Sequence, residues 1–174
     1  MPFGGIEENG EVVLKGKGMT SIKLEGFEEV FMNGSIDNNI EKDAYRAFSI
    51  PGIVILKLIA YGDRSDRRIK DIHDVGRICR HYPDLESDVV YEDHLGIFDD
   101  DYIDFHDKGH IVLGREMARI ININTHLKSR IVRVLNDAII GKSHITIQMI
   151  SDPGNETIEE MIRIIINIKL GLNS

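Results

Sequence analysis

A single lysine stands inside an apolar helix-forming run. From Ile53 to Tyr61 every residue except Lys57 is apolar, and a helix that is hydrophobic all round is normally buried. Its ammonium must therefore either snorkel to the surface along its own stem or meet an anion. After a break at Gly62-Asp63, Ser65 or Asp66 is placed to cap a second helix, with an apolar stripe of Ile69, Ile72, Val75, Cys79 and Tyr82. The polar face of this helix carries Arg67, Lys70, Asp71 and Asp74. The pairs Arg67/Asp71 and Lys70/Asp74 lie at i,i+4 and would each support a solvated face by roughly 0.2–0.5 kcal/mol. Both run basic then acidic, the weaker order, so helix support alone is a poor reason for these charges. If Lys57 does not snorkel, the chemistry it offers is recognition of a phosphate.

Other reactive residues are arranged less tellingly. His106 and His110 are four apart and would share one helical face, near Asp104 and Asp107, but a metal site wants a third protein ligand and an orienting second shell. A metal-binding domain on these histidines is kept as an alternative. Asp99, Asp100, Asp101, Asp104 and Asp107 read as a solvated segment. Cys79, the only cysteine, falls on an apolar stripe and is read as inert; with no disulfide framework, the reducing cytoplasm is the default compartment. The sequence has no Gly-x-Ser-x-Gly, Walker, HExxH or CxxC motif. Arg64, Arg67, Arg68 and Lys70 form one basic patch, and Lys128, Arg130 and Arg133 another.

The elements that must position these residues alternate at first and then become helical. Glu11 to Leu14 and Thr20 to Leu24 read as strands around Lys15-Gly-Lys-Gly, a hairpin turn rather than a phosphate loop. Phe27, Val30 and Phe31 mark a short helix ending near Gly34, and Asp43 to Ile50 reads as a strand. Pro51, favoured in a first turn, opens the lysine helix. Beyond Pro83, helices are expected over His110 to Ile121, Leu127 to Ile140 and Thr157 to Leu170, the last starting from a Thr157-x-x-Glu160 capping box. Its stripe of Ile158, Met161, Ile162, Ile165, Ile168 and Leu172 should dock into the domain. The isoleucine run Ile164 to Ile166 spills over that stripe and leaves a homodimer contact open. Ser143 to Ile150 alternates like a strand.

At 174 residues, one domain with a real core is expected. There are 29 acidic and 21 basic residues, and the net charge of −8 argues against broad nonspecific nucleic-acid binding. No run reaches the ~18 apolar residues of a membrane span, and no signal segment is evident, so no membrane partner is expected.

Leu56-Lys57-x-x-Ala60, Asp63-Arg64 and Arg68-x-Lys70-Asp71-x-x-Asp74 together resemble the "LKLxAxxDR…KDxxD" signature of AbiEii/AbiGii-type nucleotidyltransferases, in the DNA polymerase β-like superfamily. The resemblance extends to Pro2-Phe3-Gly4-Gly5-Ile6-Glu7, Gly26-Phe27-Glu28-Glu29-Val30, Ser49-Ile50-Pro51-Gly52, Tyr91-Glu92-Asp93-His94, Phe98 to Tyr102 and Leu113-Gly114-Arg115, which is nearly the whole chain. It implies an α/β (α+β) fold, a small mixed sheet at the N-terminus followed by a helical bundle. Residues 1–50 would be a remnant of the nucleotidyltransferase sheet and 51–174 the helical C-terminal region, packed as one domain, and a short helix is implied near Ser143 to Ile150 in place of the strand. The implied activity is transfer of a nucleoside monophosphate from an NTP to an RNA or protein acceptor, with Mg2+, as proposed for toxins of type IV toxin–antitoxin systems. Lys57, Asp71 and Asp74 would be catalytic, and Lys57, Arg64 and Lys70 would contact the nucleotide. The family's Asp-x-Asp pair and third carboxylate, which hold the metals, have no counterpart here and would precede Pro2. The expectation is therefore the C-terminal portion of such an enzyme, inactive alone and holding neither NTP nor Mg2+ tightly, with an antitoxin or the missing N-terminal segment as partner. A non-catalytic protein- or nucleotide-binding module is the other alternative.

Overall fold

The computed structural model describes residues 11–14, 20–23, 25–40, 43–94, 97, 104–141 and 144–174. The expected PFGG turn, the Lys15-Gly-Lys-Gly turn and Asp99 to Asp101 lie outside them. The fold is α+β, with strands confined to the N-terminal part and a helical bundle following. Strands β1 (Glu11–Leu14) and β2 (Thr20–Lys23) pair antiparallel, Glu11 opposite Lys23 and Leu14 opposite Thr20. After helix α1 (Phe27–Asn33), strands β3 (Ser35–Ile40) and β4 (Asp43–Phe48) form a second antiparallel pair, Ser35 opposite Phe48. Both described sheets are two-stranded. The second hairpin is tied back to α1 by an edge-to-face contact of Phe27 with Phe48 and by the Arg46 guanidinium over the Phe31 ring, 5.1 Å from its centroid.

Helix α2 (Ile50–Asp63) begins at Ser49, not within a strand reaching Ile50. The Ser49 hydroxyl accepts from the Gly52 amide and donates to the Gly34 carbonyl, so one side chain caps α2 and fixes it to the end of α1. Helix α3 (Ile69–Leu85) is followed by one π-helical turn, Val89–Asp93. Then come α4 (Phe105–Ile121), α5 (Thr125–Ile139), α6 (Ile145–Met149) and α7 (Ile158–Leu172). The capping box at Thr157 and Glu160 closes with both hydrogen bonds, 3.1 and 3.2 Å. Within the stretch that alternates from Ser143 to Ile150, Ile145–Met149 forms α6, a helix, with Ile145 and Met149, four apart, both buried.

The core is built chiefly from α2, α3, α4, α5 and α7. Helices α4 and α7 pack most extensively. Their backbones approach closely at two glycines: a Cβ on Gly114 would stand 2.0 Å from the Ile168 carbonyl oxygen, and one on Gly171 would stand 1.9 Å from that of Ile111. Gly76 similarly lets α3 meet the Met149 carbonyl of α6, where a Cβ would stand 2.0 Å away. The face of α7 that enters the core is Met161, Ile164, Ile165, Ile168, Gly171 and Leu172. This corrects the expected stripe. Ile164 replaces Ile158 and Ile162, because the close contact at Gly171 turns the helix to present 164, 168 and 171 to α4.

Candidate functional site

Helix α2 is apolar on all sides, and it is buried accordingly: Val54, Ile55, Leu58, Ile59 and Tyr61 all lie in the core. Lys57 lies on the flank that faces α3. Its Nζ donates to Asp74 Oδ2 at 2.8 Å and to Asp71 Oδ1 at 3.1 Å. The side chains are 24% exposed for Lys57, 20% for Asp71 and 30% for Asp74, so the cluster is a seam that water reaches from one side. Lys57 meets an anion rather than bulk solvent, and the anion is a pair of carboxylates one helical turn apart. On the outer side of Asp71, Arg68 NH1 donates to Oδ2 at 3.3 Å. Arg68, Asp71, Lys57 and Asp74 thus form a continuous chain of charge-assisted bonds whose formal charges cancel.

Burial is the largest single influence on the Lys57 ammonium and pushes its pKa down, yet the hydrogen bonds and charges of Asp74 and Asp71 together outweigh it and leave the pKa raised. The Lys57 hydrogen bond in turn holds the Asp74 carboxyl below its ordinary range, against partial burial. Lys57 is therefore a firmly charged ammonium, unsuited to act as a neutral nucleophile or general base near pH 7. An ammonium has three N–H donors and two are used here. One remains.

The turn before α3 differs from expectation. Neither Ser65 nor Asp66 caps the helix; Arg68 occupies the N-cap position, without a side-chain cap bond, after a turn closed by Arg67 N–H to Arg64 C=O. Ile69 is correspondingly exposed, while Ile72, Val75, Cys79 and Tyr82 are buried. The i,i+4 pairs Arg67/Asp71 and Lys70/Asp74 do not form as salt bridges, because both carboxylates turn inward to Lys57. Arg67 instead lies 3.6 Å from Asp66, in the open. Arg64 and Lys70 are exposed and close no salt bridge among the described residues, though the Lys70 charge helps to lower the Asp74 pKa. The structure thus brings together Lys57, Asp71 and Asp74, with Arg64 and Lys70 on the adjoining turn and helix start. In the sequence Arg68 stands in a basic patch and opens the Arg68-x-Lys70-Asp71-x-x-Asp74 motif without a role of its own, and its place three residues before Asp71 is the signal for its bond.

A cavity of about 330 Å³ opens beside the last turn of α2, lined by Tyr61, Ser65, Arg133, Val134, Asp137 and Ile145. Tyr61 lies one turn beyond Lys57, and its hydroxyl donates to Gln148 Oε1 at 3.0 Å. The second basic patch is not a uniform one. Arg130 is held by Glu25 and by Asp63, the latter at 2.5 Å, so it joins the start of α1 and the end of α2 to α5 instead of facing solvent.

The chain matches no family model, no curated protein and no solved structure. The functional reading therefore rests on the residues and their geometry. His106 and His110 share α4 but not an environment: His106 is exposed near Asp84 and Asp104, whereas His110 is buried. Among the described residues, no group of three or more His, Cys, Asp or Glu is placed to hold a metal. Cys79 is buried and its thiol pKa is pushed up to about 12 by burial, so it is not a nucleophile. No helix among the described residues is long and apolar enough to cross a membrane.

Proposed function

We propose that the seam between α2 and α3 is the phosphate-binding wall of a nucleotidyltransferase site of the AbiEii type, for transfer of a nucleoside monophosphate from an NTP to an RNA or protein hydroxyl. The observation that carries this reading is Lys57, an ammonium held between two carboxylates with its third N–H unclaimed among the described residues. Asp74 and Asp71 aim that donor. Arg64 and Lys70 add the net positive charge that the neutral Arg68–Asp71–Lys57–Asp74 chain lacks, and a triphosphate would draw on it. Two-metal transfer needs convergent carboxylates to clamp the attacking and leaving oxygens, and no such group is assembled among the described residues. On this reading the described residues supply phosphate contacts and orientation.

The reading is tested by titrating the protein calorimetrically with each magnesium NTP and with the matching nucleosides. The expected result is binding of triphosphates but not nucleosides, weakened at least about tenfold, or 1.4 kcal/mol, by Lys57→Ala and less by Arg64→Ala or Lys70→Ala. Triphosphate binding that is indifferent to Lys57→Ala, or no binding at all, would leave the cluster as a helix-to-helix clamp. Labelled nucleotide is not expected to be incorporated into RNA or protein by this chain alone. Incorporation above a heat-killed control, lost in Lys57→Ala, would show that its own carboxylates recruit metal.

A further inference from the structure

We propose that the outer face of α7 is a self-association surface that takes a second copy of this chain in antiparallel orientation. Opposite the core-facing side, Ile158 (42% exposed), Ile166 (47%) and Leu170 (56%) follow one another at multiples of four residues, with half-buried Ile162 completing the row. Such an i,i+4 row is the ridge that packs helix against helix in globular proteins. An exposed apolar row of this length on a helix with a full core face is uncommon on a surface that meets only water.

The charges beside the row indicate which partner it fits. Glu159, in the first turn, and Lys169, in the last turn, make no salt bridge within the described residues. The other charged residues of the helix are already engaged: Glu160 with Arg80, and Arg163 with Asp107. Glu159 and Lys169 stand equally far from Ile164, on either side of it. So do Ile158 and Leu170, and so do Ile162 and Ile166. A two-fold axis at the level of Ile164 therefore brings Ile162 to the level of the partner's Ile166, Ile158 to that of the partner's Leu170, and Glu159 to that of the partner's Lys169, about 7 Å along the helix from the axis. A parallel arrangement would instead set like charges at the same level. An isologous contact requires one patch complementary to itself, and this row meets the requirement in both shape and charge. Four side chains make a small interface beside the roughly 1,200–2,000 Å² of a stable one, so the dimer is of the transient class.

The test is sedimentation velocity across a range from micromolar to millimolar protein at low salt. The expected result is a concentration-dependent shift from the 19.7 kDa monomer toward twice that mass. Ile166→Glu should abolish the shift while leaving the circular-dichroism melt unchanged, since Ile166 is outside the core. Glu159→Lys and Lys169→Glu should each weaken association about tenfold, and the double exchange should restore it, an outcome specific to the antiparallel register. A monomer at every concentration, or a dimer indifferent to Ile166→Glu, would overturn the proposal. So would a double exchange no better than either single one.

Discussion

Two seams of this molecule bury polar groups, and they do it in opposite ways. Between α2 and α3, Lys57 is matched by Asp71 and Asp74 at hydrogen-bond distance, and Arg68 extends the chain. Between α3, α4 and α7, His110 is 4% exposed and neither ring nitrogen makes a hydrogen bond; two buried guanidinium nitrogens of Arg80, Nε and NH2, are likewise without one. Arg80 Nε lies 3.1 Å from Glu156 Oε1, so its charge is answered even where its hydrogen-bond geometry is poor. No carboxylate among the described residues answers His110, which meets the Arg80 carbonyl at poor hydrogen-bond geometry. Burial pushes its pKa down to about 4, with the positive charges of His106, Arg163 and Arg80 adding to the fall and the Arg80 carbonyl opposing it. A buried polar group left unmatched costs free energy, whereas a matched one roughly breaks even. The first seam can therefore be kept for function at little cost in stability, and the second should be the weak point of the fold.

The comparison breaks most visibly with acid. A His110 pKa of about 4 in the folded chain, against an ordinary value of 6.5, means the unfolded state binds its proton first. The contribution of neutral His110 is fully present above pH 6.5 and is lost as pH falls from there through 4, by up to about 3 kcal/mol. Chemical-denaturation midpoints measured from pH 7 to 4 should decline along this window in the wild type and much less in His110→Leu. Equal slopes would show that His110 is solvated or matched after all. Asp74 makes a smaller contribution of its own: with its pKa lowered, it supports the fold above its ordinary value of 3.8 and loses that support as pH falls through the lowered one.

Asp74→Ala sharpens the other side. It strands an ammonium in a seam that water reaches only partly, so a loss of about 2 kcal/mol is expected in urea unfolding at pH 7. That is less than the 3–5 kcal/mol of a fully buried pair, because Asp71 remains. A change below 0.5 kcal/mol, in the range of ordinary surface substitutions, would mean the Lys57 head is effectively in solvent. At neutral pH, His110→Leu should stabilise by about 1 kcal/mol, since it removes two unmatched nitrogens without opening the core. Destabilisation there would indicate hydrogen bonds that the described geometry lacks.

These two seams also differ in how far they could be read from sequence. The Lys57 cluster was legible because its signals are local: one charge in an apolar run, and two carboxylates three apart on the helix that follows. Local rules failed where tertiary partners competed. Asp71 and Asp74 stand at i,i+4 from Arg67 and Lys70, but those pairs stay open because Lys57 claims both carboxylates. Ser65 and Asp66 look like caps, yet the turn runs on to Arg68 before α3 begins. Arg130 looks like part of a basic surface, but Glu25 and Asp63 reach it from distant parts of the chain. Nothing in the spacing of Arg80, His110 and Glu156 announces that three separate segments bring them together. The α7 stripe was legible in period but wrong in phase, since the close approach at Gly171 decides which isoleucines face inward.

The central claim is that Lys57 is held for a ligand's phosphate, and one paired measurement addresses it most directly. Thermal melts of wild type and Lys57→Met are recorded with and without a saturating magnesium NTP. Lys57→Met leaves Asp71 and Asp74 beside each other without their ammonium, so the unliganded protein should lose about 2 kcal/mol, and the ligand response is compared within each protein. Triphosphate should raise the melting temperature of the wild type and leave that of Lys57→Met unmoved. Equal ligand-induced shifts in the two proteins would contradict the claim and make the cluster a structural clamp.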